Sequence, residues 1–529
     1  MSLGAMQDWP LRLTQLIDHA EREHGAREIV SARADGTTVR TNWKEVARNA
    51  RRTAQGLQRL GIAPGDRVAT LASNHDRHLI SWYGTIGAGA VLHTLNFRLF
   101  DDQLEYIVNH AEDRVLFYDA QFAPLVERLK PKWTCIEHFI CFDSDFDDWI
   151  GEQDGEFEWV GGDERDPSGL CYTSGTTGNP KGVLYEHRST LLHAMSVVAP
   201  DVFNVSSRSV MLPIVPMFHA NSWCIPFAAA IAGFKLVLCA DNRPERICQL
   251  FNDEGVTHSA GVPTVWLSMM DHVDTTGAGL GKLEIVVIGG SAAPPAAIRW
   301  FKDRGVRVNH LWGMTEMSPV GTVGCVPPEW ETMSDDEQVD YTCRAGRSLF
   351  GVELRTIGPN GDTLPRDGVS AGRLQTRGAA VVQRYFKQDS DATDEDGWFD
   401  TGDVAAIFPD GSIQITDRAK DVIKSGGEWI SSIDLENAAV GCPGVAEAAA
   451  IGIHHPKWDE RPLLLVVRDP GSTVGEQEIR SFLSDHIAKW WMPDAIEFLA
   501  ELPHTATGKI SKKDLRETYA DYSFTVAAQ

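Results

Sequence analysis

The stretch Tyr172-Thr-Ser-Gly-Thr-Thr-Gly-Asn-Pro-Lys-Gly182 puts three glycines, four hydroxyl side chains and one lysine into eleven residues. Glycine lets the backbone approach a ligand closely, and N–H groups and hydroxyls donate to anionic oxygens. Lys181 adds a positive charge. Together Thr173, Ser174, Gly175, Thr176, Thr177, Gly178 and Lys181 have the make-up of a phosphate cradle. A Walker A loop needs glycine just before its lysine and Ser or Thr just after it. Pro180 and Gly182 occupy those places, so a P-loop nucleotidase is not indicated. A polar turn between core elements is the plainer reading of any Gly/Thr cluster. The complete string, entered from the apolar Ser168-Gly-Leu-Cys171, favours phosphate.

Four other residues have reactive side chains but ordinary surroundings. Glu316 ends a glycine-containing turn, where a carboxylate often only complements a helix N-terminus. Asp403 follows Gly402 and could simply cap a turn. His219 follows an apolar run, a frequent place for a structural imidazole. Lys509, in Thr505-Ala-Thr-Gly-Lys509, reads by itself as a surface amine.

The elements that must position these groups show in the hydrophobic pattern. Arg67–Ala72, Ser209–Val215, Lys235–Leu238 and Glu284–Gly290 read as buried strands, and Trp43–Leu60 carries apolar residues at helical spacing. Such alternation predicts an α/β multidomain protein with stacked, mainly parallel sheets and helices. From about Gly351 strands and turns come closer together, predicting a small β-barrel-like subdomain. After Asp417 the pattern is mixed, as in a small α+β domain. The predicted division is 1–417 and 418–529, at the charged string Asp417-Arg-Ala-Lys-Asp421.

Composition bounds the partners. The 529 residues are 43% hydrophobic and 23% charged, as in globular proteins, and 49 Lys and Arg against 74 Asp and Glu give a net charge of −25. That field repels nucleic acid and anionic lipid, although local donors can still hold a small phosphate compound. From Arg418 onward acidic residues again outnumber basic ones, so the tail is no nucleic-acid arm. The nine cysteines are scattered, odd in number and without a CxxC pair, which predicts reduced thiols and a cytoplasmic setting. No signal peptide is read at the N-terminus. The most apolar stretch, Cys224–Ala240, is too short and too interrupted to span a bilayer.

The phosphate loop is followed, in order, by Pro216-Met-Phe-His-Ala-Asn221, Leu311-Trp-Gly-Met-Thr-Glu316, Gly397-Trp-Phe-Asp-Thr-Gly-Asp403, the string Asp417–Gly427, and Pro503-His-Thr-Ala-Thr-Gly-Lys509. This ordered set resembles the adenylate-forming enzymes, which include acyl-CoA synthetases, luciferases and peptide-synthetase adenylation domains. The resemblance extends over nearly the whole chain. It implies ATP, Mg²⁺ and coenzyme A as reactants or cofactors and a small carboxylic acid as substrate. Glu316 then corresponds to the Mg²⁺ ligand, which suits an ion that takes few protein carboxylates. Thr315 corresponds to an α-phosphate contact, Asp403 to the acceptor of the ribose hydroxyls and Arg418 to its partner. Gly290, Ser291, Ala292, Trp312, Gly313 and Met314 fall along the adenine and acyl boundary. His219, Asn221, Trp223 and Val262 fall on the acyl pocket, Trp223 matching a tunnel-gating tryptophan of long-chain relatives. Lys509 matches the lysine that serves adenylation, and Lys420 the hinge of a mobile C-terminal domain. Lys424 is a candidate for the second half-reaction, and Ser425, Gly426, Gly427, Glu428 and Trp429 for the coenzyme A side. Gly372-Arg373 departs from the family, which usually has glutamate there, and implies an altered ion pair.

The strings Lys424–Glu436 and His455–Pro462 look most like fatty-acyl-CoA synthetases and relatives acting on 3-methylmercaptopropionate. A medium- or long-chain fatty acid is therefore the expected substrate. A short, thioether or aryl acid, a carrier-protein acceptor, and an inactive nucleotide-binding regulatory protein stay open as alternatives, as does a homodimer.

Overall fold

The computed structural model describes residues 4–173, 179–425, 428–504 and 510–524, with Glu428 and Trp429 described by backbone alone. Among the described residues the strands form four sheets. The first runs in the order His138–Cys141, Asp113–Tyr118, Arg67–Leu71, Val91–Thr94, Pro167–Tyr172, Gly182–Glu186, parallel except for the last pair. The second has a parallel centre of Glu28–Ala32, Lys235–Cys239, Val210–Pro213, His258–Gly261, Ile285–Gly289 and Arg307–Gly313, with antiparallel strands at both edges. Parallel strands need crossover connections that cover both faces, which is why these strands read as unbroken apolar runs.

The helix Trp43–Arg59 starts where the Asn42 side chain accepts the Glu45 N–H. Its apolar face buries Trp43, Val46, Ala50 and Leu57. The helix Asp76–Gly87 is buried throughout and sets Trp82 and Tyr83 against Phe227. One continuous core joins Val68 and Val115 of the first sheet, through Trp43, Leu57 and Trp82, to Leu236 and Val287 of the second. The stacked, mainly parallel architecture expected from the sequence is present. The apolar stretch Cys224–Ala240 becomes the buried helix Ile225–Ala232 and the strand Lys235–Cys239. Among the described residues no helix is long and apolar enough to cross a membrane. All nine cysteines are free thiols.

The β-rich part is a four-stranded antiparallel sheet of Val352–Ile357, Gly372–Gly378, Phe399–Ile407 and Ile413–Arg418. Its strand order is open rather than closed as in the expected barrel, and it joins the second sheet through the bridge Arg347↔Ser412. Arg373, the departure from the family pattern, pairs with Asp400 on the adjacent strand. The last sheet comprises Ile423–Ser425, Glu428–Ile430, Val445–His455, Asp459–Arg468 and Ala495–Leu499, with its own core around Ile423, Leu435, Leu464 and Ile479.

Candidate active site

The phosphate-loop string connects two antiparallel strands, Tyr172 pairing with Gly182. Its base is closed by Thr173 N–H donating to the Lys181 carbonyl at 2.9 Å. Ser174, Gly175, Thr176, Thr177 and Gly178 lie outside the described residues. Lys181 is exposed, and its ammonium sits 4.8 Å from the centre of the Tyr385 ring. Tyr385 also donates its hydroxyl to Glu316 Oε1 at 2.8 Å. Glu316 is buried in a short 3₁₀ turn, Thr315–Met317, that follows the strand Arg307–Gly313. Burial pushes its carboxyl above the usual range, while Tyr385, Arg418 and Lys181 draw it back. The Thr315 carbonyl accepts from Tyr185 at 2.7 Å.

On the four-stranded sheet lies a second carboxylate. Asp403 is buried on Phe399–Ile407, and its register places it opposite Arg418. Arg418 Nε reaches Asp403 Oδ1 at 2.9 Å, and the indole N–H of Trp312 donates to Oδ2, also at 2.9 Å. Gly313 and Met314 join Trp312 to Thr315, so the Trp312 indole ties Asp403, on the four-stranded sheet, to the end of the second-sheet strand that leads into Glu316.

The acyl-side candidates gather around the ends of parallel strands. Gly290 has φ +91° beyond the strand Ile285–Gly289, and a Cβ there would lie 3.2 Å from Val262 Cγ1. Ser291 is exposed and Ala292 half-buried next to it. Trp223 is buried against Gly289, where an added Cβ would stand 3.0 Å from the indole Cη2. Trp223 belongs to a left-handed run: Ala220, Asn221, Ser222, Trp223 and Cys224 all have φ between 43° and 63°. Non-glycine residues pay about 1–2 kcal/mol each there. The run begins at half-buried His219, whose carbonyl accepts from Ser222 N–H at 3.0 Å. Asn221 Oδ1 lies 3.7 Å from Cys171 Sγ, which brings the acyl side to the foot of the phosphate loop.

The C-terminal candidates lie on a different sheet. Lys424 is exposed, its N–H donating to Glu460, and Ser425 is buried with its hydroxyl on Arg461 at 3.0 Å. Glu428 and Trp429 pair as backbone with Ser425 and Lys424, and Gly426 and Gly427 lie outside the described residues. Lys509 also lies outside them, between His504 and Ile510, which bridge to each other. Three residues on, Lys512 is half-buried with its ammonium on Glu436 at 2.8 Å and on Ser432. Ser432 N–H in turn donates to Asp417 at 2.6 Å. Lys420 is exposed in the turn after Arg418, and partial desolvation with cationic neighbours lowers its amine.

The structure therefore brings Lys181, Glu316, Trp312, Asp403 and Arg418 together, and Trp223, Val262 and Gly290 beside them. It keeps Lys424 and Ser425 on the separate C-terminal sheet. Tyr385 and Tyr185 are the contacts missed in the sequence. Tyr385 sits in Val381-Val-Gln-Arg-Tyr-Phe386, a short string with neither strand nor helix periodicity that draws no attention to it.

The AMP-binding enzyme family model matches residues 17–386, and the model of the AMP-binding enzyme C-terminal domain matches residues 434–509. A 3-methylmercaptopropionyl-CoA ligase of Ruegeria lacuscaerulensis is 47% identical, covering 98% of this chain and 99% of its own. A medium-chain-fatty-acid–CoA ligase of Ectopseudomonas oleovorans is 45% identical, covering 98% of each. The crystal structure of ATP-bound MatB from Rhodopseudomonas palustris matches with a TM-score of 0.84 at 25% identity, over 97% of this chain and 99% of that one. Converging carboxylates and cations where three sheets meet, in a chain matched by the family along most of its length, lead to one assignment: the protein belongs to the AMP-binding enzymes, as an acyl-CoA synthetase of the adenylate-forming superfamily.

Proposed function

We propose that the protein couples a medium- or long-chain fatty acid to coenzyme A in two half-reactions at one carbon. Oxide is a poor leaving group, so a carboxylate must first be activated. Its oxygen attacks the α-phosphorus of ATP, pyrophosphate departs, and an acyl-adenylate results. The thiol of coenzyme A then attacks the acyl carbon, and AMP leaves.

The observation that carries this reading is Asp403 clasped by Trp312 and Arg418 beside the buried Glu316. An ionised carboxylate with two acceptor oxygens suits a ribose diol. Lys181, Thr315 and the residues Ser174–Gly178, by their glycine and hydroxyl make-up, would hold the phosphates. Glu316 supplies the hard oxygen donor that Mg²⁺ prefers, and among the described residues no cluster of three or more ligating side chains competes with it. Bound there, the ion would neutralise phosphate charge. Lys509 bridges the attacking carboxylate and the α-phosphate. The segment 418–529 then turns about Lys420 to bring Ser425–Trp429 toward the thiol, with Lys424 assisting. His219, Asn221, Trp223 and Val262 line the acyl side.

The relative acting on 3-methylmercaptopropionate supports a second reading, in which the acid is a short thioether. Acids from propionate to palmitate, with 3-methylmercaptopropionate and benzoate, should be offered with ATP and either coenzyme A or a pantetheinylated carrier protein. AMP and pyrophosphate in equal amounts, with the fastest turnover on C8–C16 acids and free coenzyme A, is the expected result. ADP as the stoichiometric product would sink the mechanism, and no product with any acid would favour an inactive nucleotide-binding protein. The reaction is placed in the cytoplasm, in keeping with the free thiols; a sedimentation run decides between monomer and homodimer.

A further inference from the structure

The segment Val381–Phe386 crosses from the four-stranded sheet to the other two at the point where the phosphate-side groups meet. Val382 N–H donates to the Glu316 carbonyl at 2.8 Å, and Phe386 N–H to the Gly182 carbonyl at 2.8 Å. Between these two anchors Tyr385 meets two charged groups, one with its hydroxyl and one with its ring. Its hydroxyl goes to Glu316 Oε1 at 2.8 Å, and its ring receives the Lys181 ammonium at 4.8 Å. The far edge of the ring meets Phe399, on the strand that carries Asp403.

Glu316 and Lys181 form no direct ion pair among the described residues. That separation has a chemical meaning. A carboxylate and an ammonium in contact satisfy each other and have less to offer a cation or a phosphate. A tyrosine between them engages the anion with a neutral donor and the cation with its π face. Neither is paired off by the other, and one rigid ring stands between them.

We propose that Tyr385 is a positioning residue for adenylation, a spacer that orients Glu316 toward Mg²⁺ and Lys181 toward the ATP phosphates while preventing them from neutralising each other. The proposal rests on the reading of Glu316 as the magnesium carboxylate and goes beyond it by assigning the group that holds it.

Equilibrium binding to the full-length protein tests it without turnover. ATP is titrated by calorimetry with Mg²⁺ and with EDTA, no acid being present, and AMP serves as a control. Wild type should bind ATP more tightly with Mg²⁺ than without. Tyr385→Phe keeps the ring and loses the hydroxyl; its magnesium-dependent gain should shrink roughly tenfold, a hydrogen bond to a charged group being lost. Its affinity for AMP and its melting temperature should stay near wild type. Tyr385→Leu, which also loses the ring, should in addition weaken ATP binding in EDTA by roughly threefold, through the freed Lys181. A wild-type magnesium gain in Tyr385→Phe would overturn the proposal. So would equal losses of AMP binding, ATP binding and thermal stability, which mark a purely structural tyrosine. If wild type itself shows no magnesium gain, the magnesium role of Glu316 fails first and takes the proposal with it.

Discussion

Asp403 owes its setting to strand pairing, which places Arg418 opposite it and Trp312 on its other oxygen. Asp403→Asn keeps the volume and removes the charge. A hydrogen bond to a charged group is worth about 1.5–3 kcal/mol, so the KM for ATP should rise roughly 10- to 100-fold while the KM for the acid changes little. Initial rates with ATP and acid varied in turn check this. On the acyl side, Gly289→Ala would put a methyl 2.7 Å from Leu311 Cδ2 and 3.0 Å from Trp223 Cη2. That methyl should displace the indole and alter the order of preferred acids, leaving the KM for ATP near wild type. Trp223→Ala should also change the order, at a stability cost of about 3–5 kcal/mol for an emptied aromatic site. An even loss across all acids, with a matching fall in melting temperature, would mean that Trp223 only packs.

At the scale of elements, the helix Ser432–Val440 holds Glu436 in the C-terminal core beside Lys512. Burial pushes the Glu436 carboxyl up to about 7 against the pull of that lysine. Its folded value exceeds an unfolded value of about 4.3, so its contribution to stability is full below about pH 4.3 and lost as pH rises through the folded value. Glu436→Gln should flatten this part of the pH dependence between about pH 5 and 8, as read by calorimetric melting. Elements of this kind differ in how much the sequence discloses. Arg67–Leu71, Val210–Pro213, Lys235–Cys239 and Ile285–Gly289 stand where unbroken apolar runs place them, and the helix Trp43–Arg59 follows its 3.6-residue period. The left-handed run Ala220–Cys224 contains no glycine, and only tertiary packing holds it. The role of Tyr385 depends on three chain segments meeting, and no local spacing reports that. Asp403 and Glu316 were legible as a set because of ordered motifs; each alone reads as a capped turn.

For the whole molecule, the decisive prediction separates the half-reactions. Lys509→Ala should abolish pyrophosphate release from acid and ATP, yet convert a supplied acyl-adenylate to acyl-CoA at near the wild-type rate. Lys420→Pro should do the reverse, because proline fixes φ where the hinge must turn. Pyrophosphate release and thioester formation, followed separately, should lose different steps in the two variants; proportional losses would sink the two-orientation reading. The anchoring of Lys512 then gains a mechanical meaning. Its ammonium is moored to Glu436 and Ser432 inside the C-terminal core. The three residues back to Lys509 can span at most about 11 Å fully drawn out. Chain length alone therefore ties Lys509 to that core, whichever way the segment 418–529 turns. Under the proposed rotation it would travel as a passenger: one swing would both deliver and withdraw the charge, and the two half-reactions would keep time by a single clock.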